Sequence, residues 1–203
     1  MTELYLAALE VQGLCEQEAW PFCFIGGIAV HRWGEARFTH DVDLTLFTGF
    51  GGEKRAIGFW LRSHGVRPPC TAESAVRNRV LLLISSRGVP IDMAFGAIDF
   101  ERRAIERSSL WPLPEGKSLR TCSAEDLIVH KCFANRDQDW VDVDRILARQ
   151  RGKLDLQLVR EELKPLADVK EDPRIMQRLE ERIIHNERPF TRIRPPKGGP
   201  EQA

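Results

Sequence analysis

A chain of 203 residues, 42% hydrophobic and 30% charged, carries enough apolar material for one sizeable core or a core with a helical appendage, so disorder is not expected for most of it. Lys and Arg together number 30, as do Asp and Glu, so bulk charge gives no warrant for binding nucleic acid or membrane, and any such claim must rest on a local patch. The five cysteines are odd in number and show no C-x-x-C spacing, which fits reduced thiols in a cytoplasmic protein.

The N-terminus "MTELYLAALEVQ" carries Glu3 and Glu10 instead of a basic leader, and no apolar stretch approaches the roughly 20 residues that span a bilayer. No secreted or membrane fate is expected. Leu4, Leu6, Ala7, Leu14 and Cys15 recur at helical spacing, predicting a leading helix over Leu4 to Ala19. "PFCFIGG" reads as a short buried strand ended by glycine, "IAVHRWG" as a brief helix closed by Gly34, and "DVDLTLF" as a strand alternating in period two. "EKRAIGFWLRSHG" predicts a helix stopping at Gly65, after which Pro68 and Pro69 break the pattern. "RVLLLISSRGVPIDMAF" predicts a hairpin turning at Ser86, Arg87 and Gly88.

Beyond about Ser109 the pattern becomes helical. "SAEDLIVHKCFANR" opens with Ser123 three residues before Asp126, close to a capping box, and three further helical stretches follow in "DWVDVDRILARQ", "LDLQLVREELKPLA" and "PRIMQRLEERIIHNE". The final "PFTRIRPPKGGPEQA" lacks a periodic apolar face and is expected to be disordered. The expected architecture is mixed α/β (α+β), a small mixed sheet with packed helices followed by a helical C-terminal domain. Its boundaries fall at residues 1–110, 111–188 and, for the tail, 189–203.

Three acids stand out. In a strand, Asp41 and Asp43 share a face with Cα atoms about 6.5 Å apart, near enough for both carboxylates to reach one divalent ion. Asp92, in the second arm of the hairpin, joins them if that arm pairs beside "DVDLTL". Such a cluster repels itself unless a hard cation neutralises it, and magnesium suits oxygen ligands that share a site with phosphates. An isolated Asp-x-Asp fits a solvated strand end equally well. Gly26 and Gly27, between a strand and a helix, can present backbone N–H groups to an anion, or can simply make a tight turn.

Taken together, "GGIAVHRWGEARFTHDVDL" resembles the G-G-x-A…R-x-T-x-D-x-D-L signature of nucleotidyltransferases in the DNA polymerase beta superfamily, and is most similar to the AbiEii/AbiGii branch, which includes toxins of toxin–antitoxin systems. "VPIDMAF" supplies the third acid, and "AEDLIVHKCFANRDQDWVDVDRIL" resembles the branch's K…A-x-R-x-x-D-x-x-D segment. The resemblance covers roughly residues 20–150. It implies that Gly26 and Gly27 contact a nucleoside triphosphate, that Asp41 and Asp43 hold magnesium as part of a two-ion site, that Asp92 is the acid nearest the attacking hydroxyl, and that Lys131 meets a phosphate from the helical side. Arg37 and Thr39 would support the acids and their loop, while Asp139 and Asp142 would face Arg136 or Lys131.

The remaining polar residues carry less. Arg77 and Arg79 are expected on one face of a strand, either at a solvated edge or touching phosphate or nucleic acid. The five histidines lack metal-ligand spacing, though His40 lies near the acids, and the five tryptophans fit core or interface anchors. The expected function is magnesium-dependent transfer of a nucleotidyl group to an acceptor hydroxyl on an RNA end, a protein side chain or a small molecule. The branch resemblance alone suggests a tRNA-directed toxin with an antitoxin partner. Two rival readings remain: a non-catalytic binding module on the same fold, and a helical interaction protein built from residues 110–190.

Overall fold

The computed structural model describes residues 1–187, so the tail expected to be disordered lies outside the described residues. A seven-stranded sheet organises the chain. The leading helix α1 (Glu3–Gln17) is followed by β1 (Phe22–Phe24), α2 (Gly26–Trp33), β2 (Val42–Phe47), α3 (Glu53–Trp60) and β3 (Gly65–Val66). Next come α4 (Ala72–Asn78), β4 (Val80–Ile84), β5 (Pro90–Gly96), α5 (Asp99–Glu106), β6 (Ser109–Pro112) and β7 (Ser118–Thr121). Four helices close the described chain: α6 (Ala124–Ala134), α7 (Asp137–Arg149), α8 (Leu156–Val169) and α9 (Arg174–Glu187).

The strand order is β3-β4-β5-β2-β1-β7-β6. The expected hairpin forms, with β4 antiparallel to β5, and its second arm lies parallel to β2 with Asp43 opposite Asp92. Alternation then decides which way every side chain faces. Phe22 and Phe24 of β1, Val42, Leu44 and Leu46 of β2, and Ile91, Met93 and Phe95 of β5 all enter one apolar cluster with α1, α3 and α4. Cys23, on the opposite face of β1, enters a second cluster built mainly from α2 and α5–α9. Asp43 and Asp92 have the parity of this second face. The acids therefore point to the side where the C-terminal helices pack.

Several local expectations change. The sheet gains β3, β6 and β7, so it is larger than expected, and strands persist to Thr121 before the helices begin. The third helix ends at Trp60 with Leu61 as its cap, and Gly65 starts a strand that pairs with Ile84 instead of capping a helix. Arg77 and Arg79 do not share a strand face. Arg77 lies in α4, whose start is fixed by a reciprocal capping box between Thr71 and Ser74, and Arg79 is the left-handed C-cap of that helix, φ 54°. Its guanidinium pairs with Glu53 and donates to the Phe95 carbonyl from Nε at 2.9 Å, tying α3 to the end of β5.

Trp60 and Trp140 are fully buried core residues, and the Trp140 indole donates to Asn135 Oδ1 at 2.7 Å. All five cysteines are free thiols, and burial pushes Cys15, Cys23 and Cys132 above the usual thiol range. Ion pairs fasten the helices to the sheet unit. Arg107 of the α5 cap forks onto buried Asp126 of α6 at 2.6 and 3.0 Å, and Arg103 reaches Glu162 of α8 at 2.6 and 2.9 Å. No helix among the described residues is long and apolar enough to cross a membrane.

Candidate active site

The three acids converge. Carboxylate oxygens of Asp41, Asp43 and Asp92 all lie within 4.8 Å of one another on the wall of a cavity of about 670 Å³ between the sheet and α6 and α7. That volume suits a nucleotide-sized ligand. Burial pushes the Asp43 carboxyl up to about 6, and the neighbouring charges of Asp41 and Asp92 add to the rise. Asp92 is also raised, again by burial first, with the nearby Arg67 guanidinium pulling it back down. The donor set is three hard carboxylate oxygens that repel each other, and this fits a divalent cation such as magnesium.

Gly26 and Gly27 make this convergence sterically feasible. Gly26 opens α2 with φ +54°, and a Cβ built there would sit 2.0 Å from Asp43 Oδ2. A Cβ on Gly27 would sit 2.3 Å from Thr39 Oγ1. The Gly27 N–H points at Asp43 Oδ2 at 3.4 Å, and the Thr39 hydroxyl donates to Asp41 Oδ1 at 3.0 Å. The bare backbone of the helix start is thus what the acid-bearing loop packs upon. It also lines the cavity.

Behind the acids runs an alternating chain of charges. Arg37 forks onto Asp142 at 2.9 and 3.0 Å, Lys131 donates to Asp142 Oδ2 at 2.8 Å and Asp139 Oδ1 at 2.9 Å, and Arg136 donates to Asp139 Oδ2 at 2.7 Å. Burial works to raise both aspartates, but hydrogen bonds from Arg37 and Lys131 on Asp142, and from Arg136 and Lys131 on Asp139, hold them below their ordinary values. Lys131 lies on the cavity wall, as a phosphate-facing lysine would. Its amino group is nonetheless buried and already shared between two carboxylates. Arg136, by contrast, keeps 76% of its side chain exposed beside the cavity.

The spacing of the motifs did not disclose three further residues at the site. Arg67, just after β3, forms an ion pair with Asp92. His130 lines the cavity with its Nε2 lacking a hydrogen-bond partner among the described residues, and burial lowers it to about 4, which keeps it neutral at pH 7. Lys170, at the end of α8, places its ammonium 4.4 Å from the Phe133 ring centre at the cavity mouth. His40, beside the acids in sequence, is exposed and meets the Phe38 ring edge-on at 4.3 Å. Arg67, His130 and Lys170 have no sequence signal, because their places at the site are set by the sheet order and helix packing.

Three solved structures are similar over most of the chain at low identity. An antigenic nucleotidyltransferase-like protein from Paracoccidioides brasiliensis is 13% identical, with 87% of this chain and 91% of that one covered and a TM-score of 0.47. The lincosamide antibiotic adenylyltransferase LnuA, bound to lincomycin, is 14% identical over 72% of this chain and 96% of that one, TM-score 0.44. The antibiotic-resistance factor ANT(2'')-Ia is 17% identical over 90% of this chain and 96% of that one, TM-score 0.46. No curated protein matches the sequence. The family model described as nucleotidyl transferase AbiEii toxin, Type IV TA system, matches residues 14–195. That match takes in the glycines, all three acids, the charge chain behind them and every C-terminal helix, and the protein belongs to the AbiEii nucleotidyltransferase family.

Proposed function

We propose that the protein is a magnesium-dependent nucleotidyltransferase: an acceptor hydroxyl oxygen bonds to the α-phosphorus of a nucleoside triphosphate, the bond to the bridging oxygen breaks, and pyrophosphate leaves. The observation that carries this reading is the gathering of Asp41, Asp43 and Asp92 on one sheet face against a nucleotide-sized cavity. Those three carboxylates would hold one or two magnesium ions, which when bound neutralise charge on the phosphates and favour departure of pyrophosphate. Asp92 is assigned to the acceptor, whose proton it accepts or orients. Asp41 and Asp43 are assigned to the metal, and Gly26 and Gly27 to the triphosphate, which their missing side chains allow close to the backbone.

Lys131 is assigned to electrostatic support of the phosphates from the helical side, with its geometry fixed by Asp139 and Asp142. In this reading the sheet unit carries the metal ligands, and the helical unit from α6 onward forms the opposite wall of the cavity. The family's description supports a toxin role and hence an antitoxin partner, with an RNA end such as that of tRNA as acceptor ahead of a protein or a small molecule. We assign the protein to the cytoplasm, where triphosphates and magnesium are available.

The test is incubation of purified protein with α-labelled nucleoside triphosphates and candidate acceptors, with magnesium or with EDTA, while pyrophosphate is measured. Label transfer that needs magnesium and disappears in Asp43→Asn supports the proposal. Nucleotide binding with no transfer to any acceptor class would leave the binding-module reading standing instead.

A further inference from the structure

The acid cluster is not left entirely to a metal for neutralisation. Among the described residues, Arg67 is the one cation in an ion pair with any of its three members: Asp41 receives the Thr39 hydroxyl, Asp43 faces a backbone N–H, and Lys131 is spent on Asp139 and Asp142. Arg67 is placed by the sheet. Its backbone N–H donates to the Leu82 carbonyl at 2.9 Å, just past the short edge strand β3, and from there the side chain crosses β4 to Asp92 on β5. Both partners are a third exposed, and the Arg67 Nε is buried without a hydrogen-bond partner. The guanidinium is thus held at Asp92 by one of its donors while another goes unmet.

We infer that Arg67 is a built-in competitor of the divalent cation, holding Asp92 in the metal-free protein and weakening cation binding at the acceptor side of the cluster. The inference rests on the assignment of the three acids as metal ligands. The physical reason is charge. A guanidinium paired with one carboxylate of a cluster only 4.8 Å across occupies an oxygen an incoming ion would take and, held there by that pair, places a positive charge within a few ångströms of the ion. Two consequences follow for the order of binding. Asp41 and Asp43 are the first ligands open to a cation, and the Asp92 side fills readily only when a polyanionic triphosphate arrives with its own counter-charge.

The experiment is a titration of manganese, a magnesium surrogate, into nucleotide-free protein, followed by calorimetry and by the free-ion electron spin resonance signal. Arg67→Gln should bind manganese about tenfold more tightly than the parent protein, as expected for removing a partly screened charge next to the ion. Arg67→Lys, which keeps the charge, should stay close to the parent. The gain should vanish in an Asp92→Asn background, because the ion pair that holds the guanidinium at the cluster is then gone. Arg67→Leu serves the same purpose if the glutamine variant melts early.

Unchanged or weaker affinity in both charge-removing variants would overturn the inference and make Arg67 a positioning residue for Asp92. A gain that persists without Asp92 would also overturn it, since the effect would then be remote. If none of the proteins binds manganese, the metal reading fails and takes the inference with it. Normal binding to the parent with no change on removing Arg67 removes the inference alone.

Discussion

Arg37 and Asp142, 105 residues apart, meet in a two-point pair that locks the loop before β2 to helix α7. The same aspartate holds Lys131, and the Arg37 carbonyl lies 2.7 Å from His31 Nε2, whose other ring nitrogen lies 2.8 Å from the Tyr5 hydroxyl. The loop carrying Thr39 and Asp41 is therefore held from both the helical side and the N-terminal helix. Replacing Asp142 by Ala leaves Arg37 and Lys131 without a shared partner in a buried setting, and should cost roughly 2–4 kcal/mol in urea unfolding. Arg37→Ala should cost less, about 1–2 kcal/mol, because Lys131 still satisfies Asp142. Both variants should also lower nucleotide turnover through the acid loop. Turnover that survives intact in a destabilised Asp142→Ala protein would show that the loop does not depend on this pair.

Asp43 gives a pH signature with a definite sign. Its carboxyl titrates near 6 in the folded protein and near its ordinary value of 3.8 when unfolded, so between those values the folded state holds the extra proton. Metal-free stability should therefore fall as pH rises from about 4 to about 6, with the loss complete above the folded value and amounting to about 3 kcal/mol. Asp43→Asn should remove that slope and melt higher than the parent protein at pH 7 in EDTA. Magnesium should reverse the ranking above pH 6, by binding the ionised cluster that the variant lacks. Thermal melts of both proteins from pH 4 to 8, with EDTA and with magnesium, check each step. Parallel melting curves across the whole range would mean that Asp43 is not perturbed.

The parts of the fold that were legible in the sequence were those with local causes. The β4–β5 hairpin announced itself by two apolar runs around Ser86, Arg87 and Gly88, and α6 by Ser123, whose hydroxyl accepts from the Asp126 N–H at 3.0 Å. The parity of Asp43 and Asp92 was readable as well, because alternation along a strand needs no tertiary information, whereas Asp41 sits in the loop just before β2. By contrast β3 has two residues and β6 and β7 four each, too short to show a period, and α4 has only seven residues and runs straight into β4, so that Arg77 reads as part of the strand. Arg67 was invisible for a deeper reason. Its link to Asp92 depends on β3 and β4 lying at that edge of the sheet, which no spacing in the chain encodes.

The two glycines should fail in different ways. Gly26 has a positive φ and faces Asp43 so closely that Gly26→Ala must both strain the backbone and push the carboxylate out of the cluster. A stability loss of roughly 1–3 kcal/mol with a fall in magnesium affinity is expected. Gly27→Ala meets Thr39 instead, and should displace the hydroxyl that holds Asp41. Thr39→Ser, which removes the Cγ2 atom 2.9 Å from the built Cβ but keeps the hydroxyl, should partly restore Gly27→Ala. No restoration in melting temperature or magnesium binding would mean that the helix start, and not Thr39, sets the requirement for glycine.

Lys131 decides whether the charge chain serves the cavity or only the fold. Its ammonium is shared by Asp139 and Asp142, so Lys131→Ala removes the cation linking two buried carboxylates, each of which keeps one arginine. A lysine on a helix ordinarily reaches into solvent, where its loss costs the fold little. Burial changes that expectation, and about 2–3 kcal/mol of stability should be lost. Pairing the change with Asp139→Asn removes part of the uncompensated charge and should recover some of that loss. Nucleotide affinity separates the two roles. If Lys131 also contributes its charge to bound phosphates, the stability-rescued double variant should still bind triphosphate more weakly than the parent, with monophosphate binding less affected. Full recovery of both stability and triphosphate affinity would make the lysine purely structural, and would leave Arg136, exposed at the same cavity wall, as the cation facing the phosphates.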